Sequence, residues 1–263
     1  MPNLSIIIPT YNSEETISDA IKSVISQTYN DYELIIIDGN SHDQTFSIVK
    51  EFSQKYDNII IKREIDNGIY DAMNKGIKLS KGNWLFFLGS DDTIYSRFTF
   101  QKVFENKKVK NSHLVYGNIW LNRPQIPWGG KFNRYRFLFE NLPHQGVFYN
   151  RYIFDKLGFY NPKYQILADK EFNIRIFADK EIKKRYIDLI ISNFSCNGIS
   201  SRKEDWDFRK DQIKLYKKYI PFHYRFIANR RKSYLFAPIH KIFMSQNLHK
   251  LRVNEYSFYN SQF

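Results

Sequence analysis

Apolar positions along the first hundred residues alternate between two rhythms. Leu4-Ser5-Ile6-Ile7-Ile8 is short and almost uninterrupted, as expected of a strand buried on both faces. Ile17, Ala20, Ile21, Val24 and Ile25 then recur at helical spacing, with Ser13 as the expected cap and Glu14 and Glu15 in the first turn. The pair of rhythms repeats. Glu33 to Ile37 reads as a strand ending at Asp38, Thr45 to Phe52 as a helix, and Ile59 to Lys62 as a third strand. Ile69 to Leu79 reads as a helix and Trp84 to Leu88 as a fourth strand. This alternation predicts an α/β fold, a mostly parallel sheet flanked by helices.

Polar residues collect where those strands end. Pro9-Thr10-Tyr11-Asn12 follows the first, Asp38-Gly39-Asn40-Ser41 the second, Asp66-Asn67-Gly68 the third and Gly89-Ser90-Asp91-Asp92 the fourth. Any one of these is ordinary turn chemistry. Four on one rim predict a site, because parallel sheets bind ligands at the carboxyl ends of their strands. The fourth turn is chemically specific: two adjacent carboxylates repel unless both face water or a cation sits between them. The alternative is that they cap a following helix with Thr93. Neither G-x-G-x-x-G nor G-x-x-x-x-G-K-[ST] is present, so neither a dinucleotide fold nor a P-loop is supported.

Composition narrows this further. The chain has 263 residues, 43% hydrophobic and 17% aromatic, enough for a large packed core and unlike a disordered chain. No signal peptide is read at Met1-Pro2-Asn3, and no run approaches 18 uncharged apolar residues. The one cysteine, Cys196, fits a reducing compartment and a small buried side chain. The formal charge of +13 is uneven: residues 202–263 carry 14 Lys and Arg against 5 Asp and Glu, and the first 201 carry 26 against 22. Fourteen aromatic residues are mixed into that basic tail, in which Asp207 to Tyr219 reads as a helix ended by Pro221. Solvated helices packed on the main domain account for such a tail, as does an anionic membrane surface. Nucleic acid is a rival partner.

Several ordered blocks resemble family 2 glycosyltransferases of the GT-A fold. They are Ser5 to Asn12, Glu33 to Asp43, Asn67 to Ile77 and Gly82 to Asp92. His144-Gln145-Gly146-Val147-Phe148-Tyr149-Asn150-Arg151, Gly158-Phe159-Tyr160, Ala168-Asp169-Lys170-Glu171-Phe172 and Gly198-Ile199-Ser200-Ser201 are similar to acceptor-side blocks of the non-processive bacterial members. The resemblance covers about residues 3–201. It implies a catalytic domain at 1–201, with a nucleotide-binding half (1–92) and an acceptor-side half (93–201), followed by a basic, aromatic-rich helical extension at 202–263.

The same resemblance implies a function: transfer of a sugar from a nucleotide-sugar, UDP-linked, to a hydroxyl with inversion at the anomeric carbon. Pro9, Thr10, Tyr11, Asn12 and Asp38 would line the base and ribose pocket, with Tyr11 stacking and Asp38 accepting hydrogen bonds. Asn67, Gly68, Asp71, Asn74, Lys75 and Asp91 would complete the nucleotide site, although Asp71 and Asn74 equally suit local capping and pairing. Asp91 and Asp92 match the motif that holds Mn²⁺ or Mg²⁺, a hard cation with oxygen ligands at ~2.1 Å for Mg²⁺. The usual Asp-x-Asp-Asp is broken here by Gly89, which leaves Asp91 as the first choice of ligand. Asp169 matches the acidic position of the general base, with Glu171 as competitor and helix capping as the bland alternative. His144, Gln145, Ser200 and Ser201 would face the acceptor or a phosphate, although turn and structural roles also suit them.

The expected setting is synthesis of a bacterial surface polysaccharide on a glycan or lipid-linked acceptor. The protein would be cytoplasmic, peripheral on the inner face of the membrane through the tail, with no nucleic acid partner. A nucleotidyltransferase or a nucleic-acid-binding module are the alternatives. The absence of Gln-x-x-Arg-Trp argues against a processive synthase.

Overall fold

Alternate residues of the first apolar run part to opposite faces of a sheet. In a computed structural model, which describes residues 1–195 and 204–221, strand β1 (Leu4–Thr10) sends Leu4, Ile6 and Ile8 into one core and Ile7 into another. Strand β2 (Tyr32–Asp38) divides Leu34 and Ile36 from Ile35 and Ile37 in the same way. Each of these side chains is fully buried, and each such burial contributes roughly 1.5–3 kcal/mol. The sheet is therefore held from both sides, as uninterrupted β-branched runs require.

Helices α1 (Ile17–Ile25) and α2 (Thr45–Lys55) cover one face, and α3 (Ile69–Leu79) covers the other with Tyr70, Met73 and Ile77. Gly76 lets α3 lie directly on β1, since a Cβ there would run into the Ile7 side chain. Strands β3 (Ile59–Arg63), β2, β1 and β4 (Trp84–Phe87) stand side by side in that order, all parallel. The order reverses between β1 and β4, and the carboxyl ends of the strands at such a reversal are where sheets of this kind bind ligands.

Beyond β4 the sheet is mixed. Short strand β5 (Thr93–Ile94) is followed by α4 (Thr99–Phe104), β6 (Leu114–Leu121), β7 (Ile126–Trp128), β8 (Val147–Asn150), α5 (Arg151–Leu157), α6 (Ala168–Ala178) and β9 (Lys184–Phe194). The nine-stranded order is β3-β2-β1-β4-β8-β6-β9-β5, with β7 paired to β6. Parallel pairing is thus confined to the first four strands and to β6 with β9, and the remaining pairs are antiparallel. A last helix, α7 (Trp206–Tyr219), buries Phe208 and Tyr216 and is capped by Asp205, whose side chain accepts from the Phe208 N–H.

Two local expectations change. Helix α1 starts at Ile17 behind Thr16 instead of at Ser13. The Ser13 carbonyl accepts from the Thr16 and Ile17 N–H groups, while its hydroxyl is turned to the rim, so Ser13 supplies a turn and not a side-chain cap. Thr93 begins a strand paired with β9, so Asp91 and Asp92 do not cap a helix. Residues 222–263, with most of the basic tail, and Cys196, Gly198, Ile199, Ser200 and Ser201 lie outside the described residues.

Candidate active site

Four chain turns meet over the reversal point. The Ser13 hydroxyl, after β1, and the Ser90 hydroxyl, after β4, are 2.9 Å apart and tie the two rims together. Thr10 ends β1 with its Oγ1 buried and without a hydrogen-bond partner among the described residues, and Tyr11 beside it is 56% exposed, edge-on to His42 at 6.4 Å. Asn12, in the left-handed region at φ 48°, holds the second turn: its N–H donates to Ser41 Oγ at 2.9 Å and its Oδ1 accepts from His42 N at 2.9 Å. An exposed ring above an unpaired hydroxyl suits a flat, polar base.

Asp38 lies deeper than a free acceptor would. It is fully buried, accepts from Ser41 N and, at 2.5 Å, from Ser41 Oγ, and pairs with Arg63 Nε at 3.2 Å. Asp66 is the carboxylate nearer Tyr11. A Cβ on Gly39 would come 2.5 Å from Asp66 Oδ2 and 3.4 Å from Tyr11 Cδ2, so these three residues converge. Burial raises the Asp66 pKa above the usual carboxylate value. Arg63 and Asp66 are functional candidates that sequence reasoning passed over; their signal was position alone, at and just after the end of β3.

The start of α3 is bonded inward and outward. Asp71 Oδ2 accepts from Asn67 N at 3.0 Å and pairs with Lys75 at 3.2 Å. Lys75 also reaches Glu64 at 3.2 Å and the Ile65 carbonyl at 2.7 Å. Asn74 exchanges two bonds with the Tyr160 backbone, at 2.9 and 3.1 Å, and so positions the loop that leads to α6. Gly68 has φ 108°, and a Cβ there would strike the Gln165 amide. The backbone of this turn therefore faces a residue from the acceptor half directly.

The two rim carboxylates differ in surroundings. Asp92 is 1% exposed, with Oδ1 accepting from Ser195 N at 2.9 Å and Oδ2 from Gln145 Nε2 at 3.0 Å. Asp91 is partly exposed; its Oδ2 accepts from Ser195 Oγ at 2.9 Å, and its Oδ1 has no donor among the described residues. A Cβ on Gly89 would lie 2.5 Å from Asp92 Oδ2 and 3.0 Å from Asp91 Oδ1. The missing first carboxylate of the motif has a reason here: both remaining carboxylates fold over the place it would occupy. Two carboxylates alone are present, since no group of three or more His, Cys, Asp or Glu gathers here among the described residues; a hard divalent cation held at this rim would need further oxygen ligands from outside the protein. Ser195, at the end of β9, ties both carboxylates and carried no signal in the sequence.

Burial, then the Asp91 charge, raises Asp92 to a pKa of about 6. A group raised in the folded state stabilises it fully below the unfolded pKa, near 3.8, and that stability is lost as pH rises through about 6. In metal-free buffer, Asp92→Asn should therefore gain melting temperature relative to wild type between pH 4 and 6. The gap should reach roughly 3 kcal/mol, as two pKa units imply, and stay level above. A gap independent of pH would show that Asp92 is not held up.

Asp169 sits in the first turn of α6 and is 4% exposed. Its Oδ1 accepts from Tyr70 Oη at 2.9 Å and Lys170 N at 2.7 Å; its Oδ2 accepts from Asn141 Nδ2 at 2.8 Å and lies 3.4 Å from His144 Nδ1. Tyr70 Oη is also 2.8 Å from the Ile166 carbonyl, and its one hydrogen serves either acceptor. Desolvation and the Asp169 charge raise the Tyr70 pKa well above its ordinary value, so the phenol stays neutral. Glu171 points elsewhere, paired with Arg175 at 2.9 Å. His144 and Gln145 share one 3-10 turn, His144–Gly146, which leads into β8, so this turn touches Asp169 with one residue and Asp92 with the next.

Comparison with known proteins decides the class. The family model for glycosyl transferase family 2 matches residues 5–201. The chain belongs to this family. A PGL/p-HBAD biosynthesis glycosyltransferase of Mycobacterium bovis is 39% identical over 213 residues, covering 80% of this chain and 83% of its own. Poly(ribitol-phosphate) beta-N-acetylglucosaminyltransferase TarP of Staphylococcus aureus is 36% identical over 124 residues, covering 44% and 36%. Among solved structures, S. aureus TarS 1-349 in complex with UDP-GlcNAc superposes with a TM-score of 0.69 at 17% identity, over 82% of this chain and 66% of that one. The mannosyltransferase PcManGT of Pyrobaculum calidifontis, in complex with GDP-Man and Mn²⁺, gives 0.63 at 14% identity, over 82% and 64%. The GT-A fold of this glycosyltransferase is thus shared with enzymes of very different sequence. Family membership also settles the choice against a nucleotidyltransferase. No helix among the described residues is long and apolar enough to cross a membrane.

Proposed function

We propose that this glycosyltransferase moves a sugar from a UDP-linked donor, with inversion, to a hydroxyl of a glycan or lipid-linked acceptor during assembly of a bacterial cell-surface polysaccharide. The observation that carries the reading is the His144–Gly146 turn, which brings the Asp91-Asp92 rim and the Asp169 cluster to one place at the β1–β4 reversal. Donor-side and acceptor-side chemistry meet there, as a direct displacement at the anomeric carbon needs. The names of the relatives support the setting: PGL/p-HBAD biosynthesis in Mycobacterium bovis and poly(ribitol-phosphate) in S. aureus. The TarS complex supports a UDP-sugar.

In this reading Thr10, Tyr11, Asn12 and Asp66 hold the nucleoside, with Asp38 beneath them bracing Ser41 and Arg63, and Asn67, Gly68, Asp71 and Lys75 form the edge nearest the diphosphate. A Mn²⁺ or Mg²⁺ ion on Asp91 and Asp92 would supply positive charge against the departing nucleoside diphosphate. Asp169 and the groups bonded to it receive the proton that the acceptor hydroxyl gives up, since the attacking oxygen acidifies as its new bond forms. The test is a thermal-shift screen of nucleoside diphosphates and nucleotide-sugars with and without Mn²⁺. At 100 times its dissociation constant the true donor nucleotide should stabilise by ~2.7 kcal/mol. Equal, metal-independent shifts for all nucleotides would remove the reading.

We also propose a peripheral seat on the inner face of the membrane. Helix α7 leaves Trp206 and Ile213 strongly exposed, beside Arg209, Lys210 and Lys214, which is the mixture an anionic interface attracts. The full chain should be retained on liposomes containing anionic lipid at low salt and released at high salt, with the screening length at ~8 Å in physiological salt. Equal retention on neutral liposomes would count against it.

A further inference from the structure

We propose that Asp205, just past the family domain at residues 5–201, is a positioning residue that aims Asp169. This deepens the sugar-transfer reading and rests on it, because it takes Asp169 as the group that receives the acceptor's proton.

The need for such a residue arises at the start of α6. The first N–H groups of a helix have no partner within it, and Leu167, at the cap position, has no side chain that could serve them. Asp205 supplies the acceptor from 38 residues further on. Its Oδ2 accepts from Ile166 N at 2.8 Å and from Leu167 N at 3.0 Å, while its Oδ1 accepts from Phe208 N at 3.0 Å and caps α7. One buried carboxylate thus closes the N-termini of two helices, where negative charge is favoured. Leu167 is two residues ahead of Asp169, so the segment Asp205 holds is the one that carries Asp169 into the site.

The rest of the loop before α6 is held from two sides. From α7, Asp211 Oδ2 accepts from Lys163 Nζ at 2.6 Å and from Tyr164 Oη at 2.9 Å, and the Phe208 ring meets Tyr164 edge-on at 5.6 Å. From α3, Asn74 bonds the Tyr160 backbone, and Tyr70 Oη lies within reach of both the Ile166 carbonyl and Asp169 Oδ1. Ile166 is therefore fixed at its N–H by Asp205 and at its carbonyl by Tyr70, and the same phenol faces Asp169. A shift of Ile166 disturbs the hydroxyl that orients the acid. Transfer is sensitive to such a shift, since a displacement of about 1 Å at a reacting group can cost ~10²-fold in rate.

Substitutions at 205 separate capping from positioning. Ser and Asn cap a helix about as well as Asp, so Asp205→Ser and Asp205→Asn both keep the start of α7. Ser is too short to reach Ile166 and Leu167, and Asn, with its oxygen on Phe208 N, turns an amide N–H toward two donors. With UDP-GlcNAc and Mn²⁺ as probe, and UDP release as readout, both variants should lose ~10–10²-fold in kcat while UDP-GlcNAc affinity stays within about twofold. In an Asp169→Asn background the same substitutions should cost less than about threefold, because the group they misplace is already gone. Both variants within about threefold of wild type, a fall in donor affinity that matches the fall in kcat, or full additivity with Asp169→Asn would each overturn the proposal. Amide hydrogen exchange read by mass spectrometry needs no turnover. Both variants should exchange faster than wild type across residues 163–170 and equally across β1 and β2, and unchanged exchange at 163–170 overturns the assignment. Absence of UDP release from wild type with every nucleotide-sugar would instead count against sugar transfer itself, and the exchange result would still decide whether Asp205 holds this segment.

Discussion

Asp169→Asn should leave the enzyme folded and able to bind its donor, yet slow transfer by ~10²–10⁴ in kcat. The expected split follows from the site. Asp169 contacts the Tyr70, Asn141 and His144 side chains, which belong to the acceptor side and the start of α3, and none of the residues proposed to hold the nucleoside. Asn keeps the volume and can still cap the first turn of α6, so a purely structural role predicts an active variant. Steady-state kinetics alongside donor affinity by calorimetry separate the two. Full activity would remove Asp169 from the mechanism, and Glu171 would be a poor replacement, since its carboxylate is held by Arg175.

Asp91→Asn should abolish the divalent-ion-dependent part of nucleoside diphosphate binding. Asp91 has an oxygen without a donor among the described residues and a partly exposed side chain, so little of the core depends on it. Substituting a group that only orients a metal ligand costs 10–100-fold in affinity, and substituting the ligand itself should exceed about 100-fold. The measurement is nucleoside diphosphate affinity with Mn²⁺ and with chelator. Wild type should show a large difference and the variant none, at a melting temperature close to that of the wild type. An unchanged Mn²⁺ dependence in Asp91→Asn would sink the metal assignment.

Much of this architecture was readable before any coordinates. The boundaries of α3 follow from its periodicity, and the four rim turns follow from the strands that deliver them. What failed was anything set by partners far away in the chain. Ser13 looks like a cap because Ser, Glu and Glu precede an amphipathic run, yet its hydroxyl goes to Ser90, 77 residues on. Asp38 reads as a free acceptor, but Arg63 and Ser41 occupy it, and no local pattern announces a guanidinium arriving from the next strand but in register. Local pattern marks Tyr70 only as a member of α3; that its hydroxyl reaches Asp169, 99 residues later, depends on how the two helices pack. The mixed half of the sheet was hidden for the same reason, since antiparallel pairing of β4 with β8 joins runs more than 60 residues apart that have no shared local rhythm. The resemblance to the family supplied Asp169 and His144 where periodicity alone would have left them as a capping residue and a buried ring.

Helix α3 has a consequence for how the enzyme can diversify. Tyr70 and Asn74 on this helix bond to Ile166, Asp169 and Tyr160, so the distance from the start of α3 to Asp169 is set across space by these side-chain contacts. The chain between them contains the β6–β7 turn at residues 122–125, which is exposed and lies outside these contacts. Lengthening a surface loop there costs only about 0.6 kcal/mol per doubling. That turn can thus lengthen while Tyr70, Asn74 and Asp169 keep their spacing, so this edge of the sheet is free to vary without disturbing the contacts made across α3.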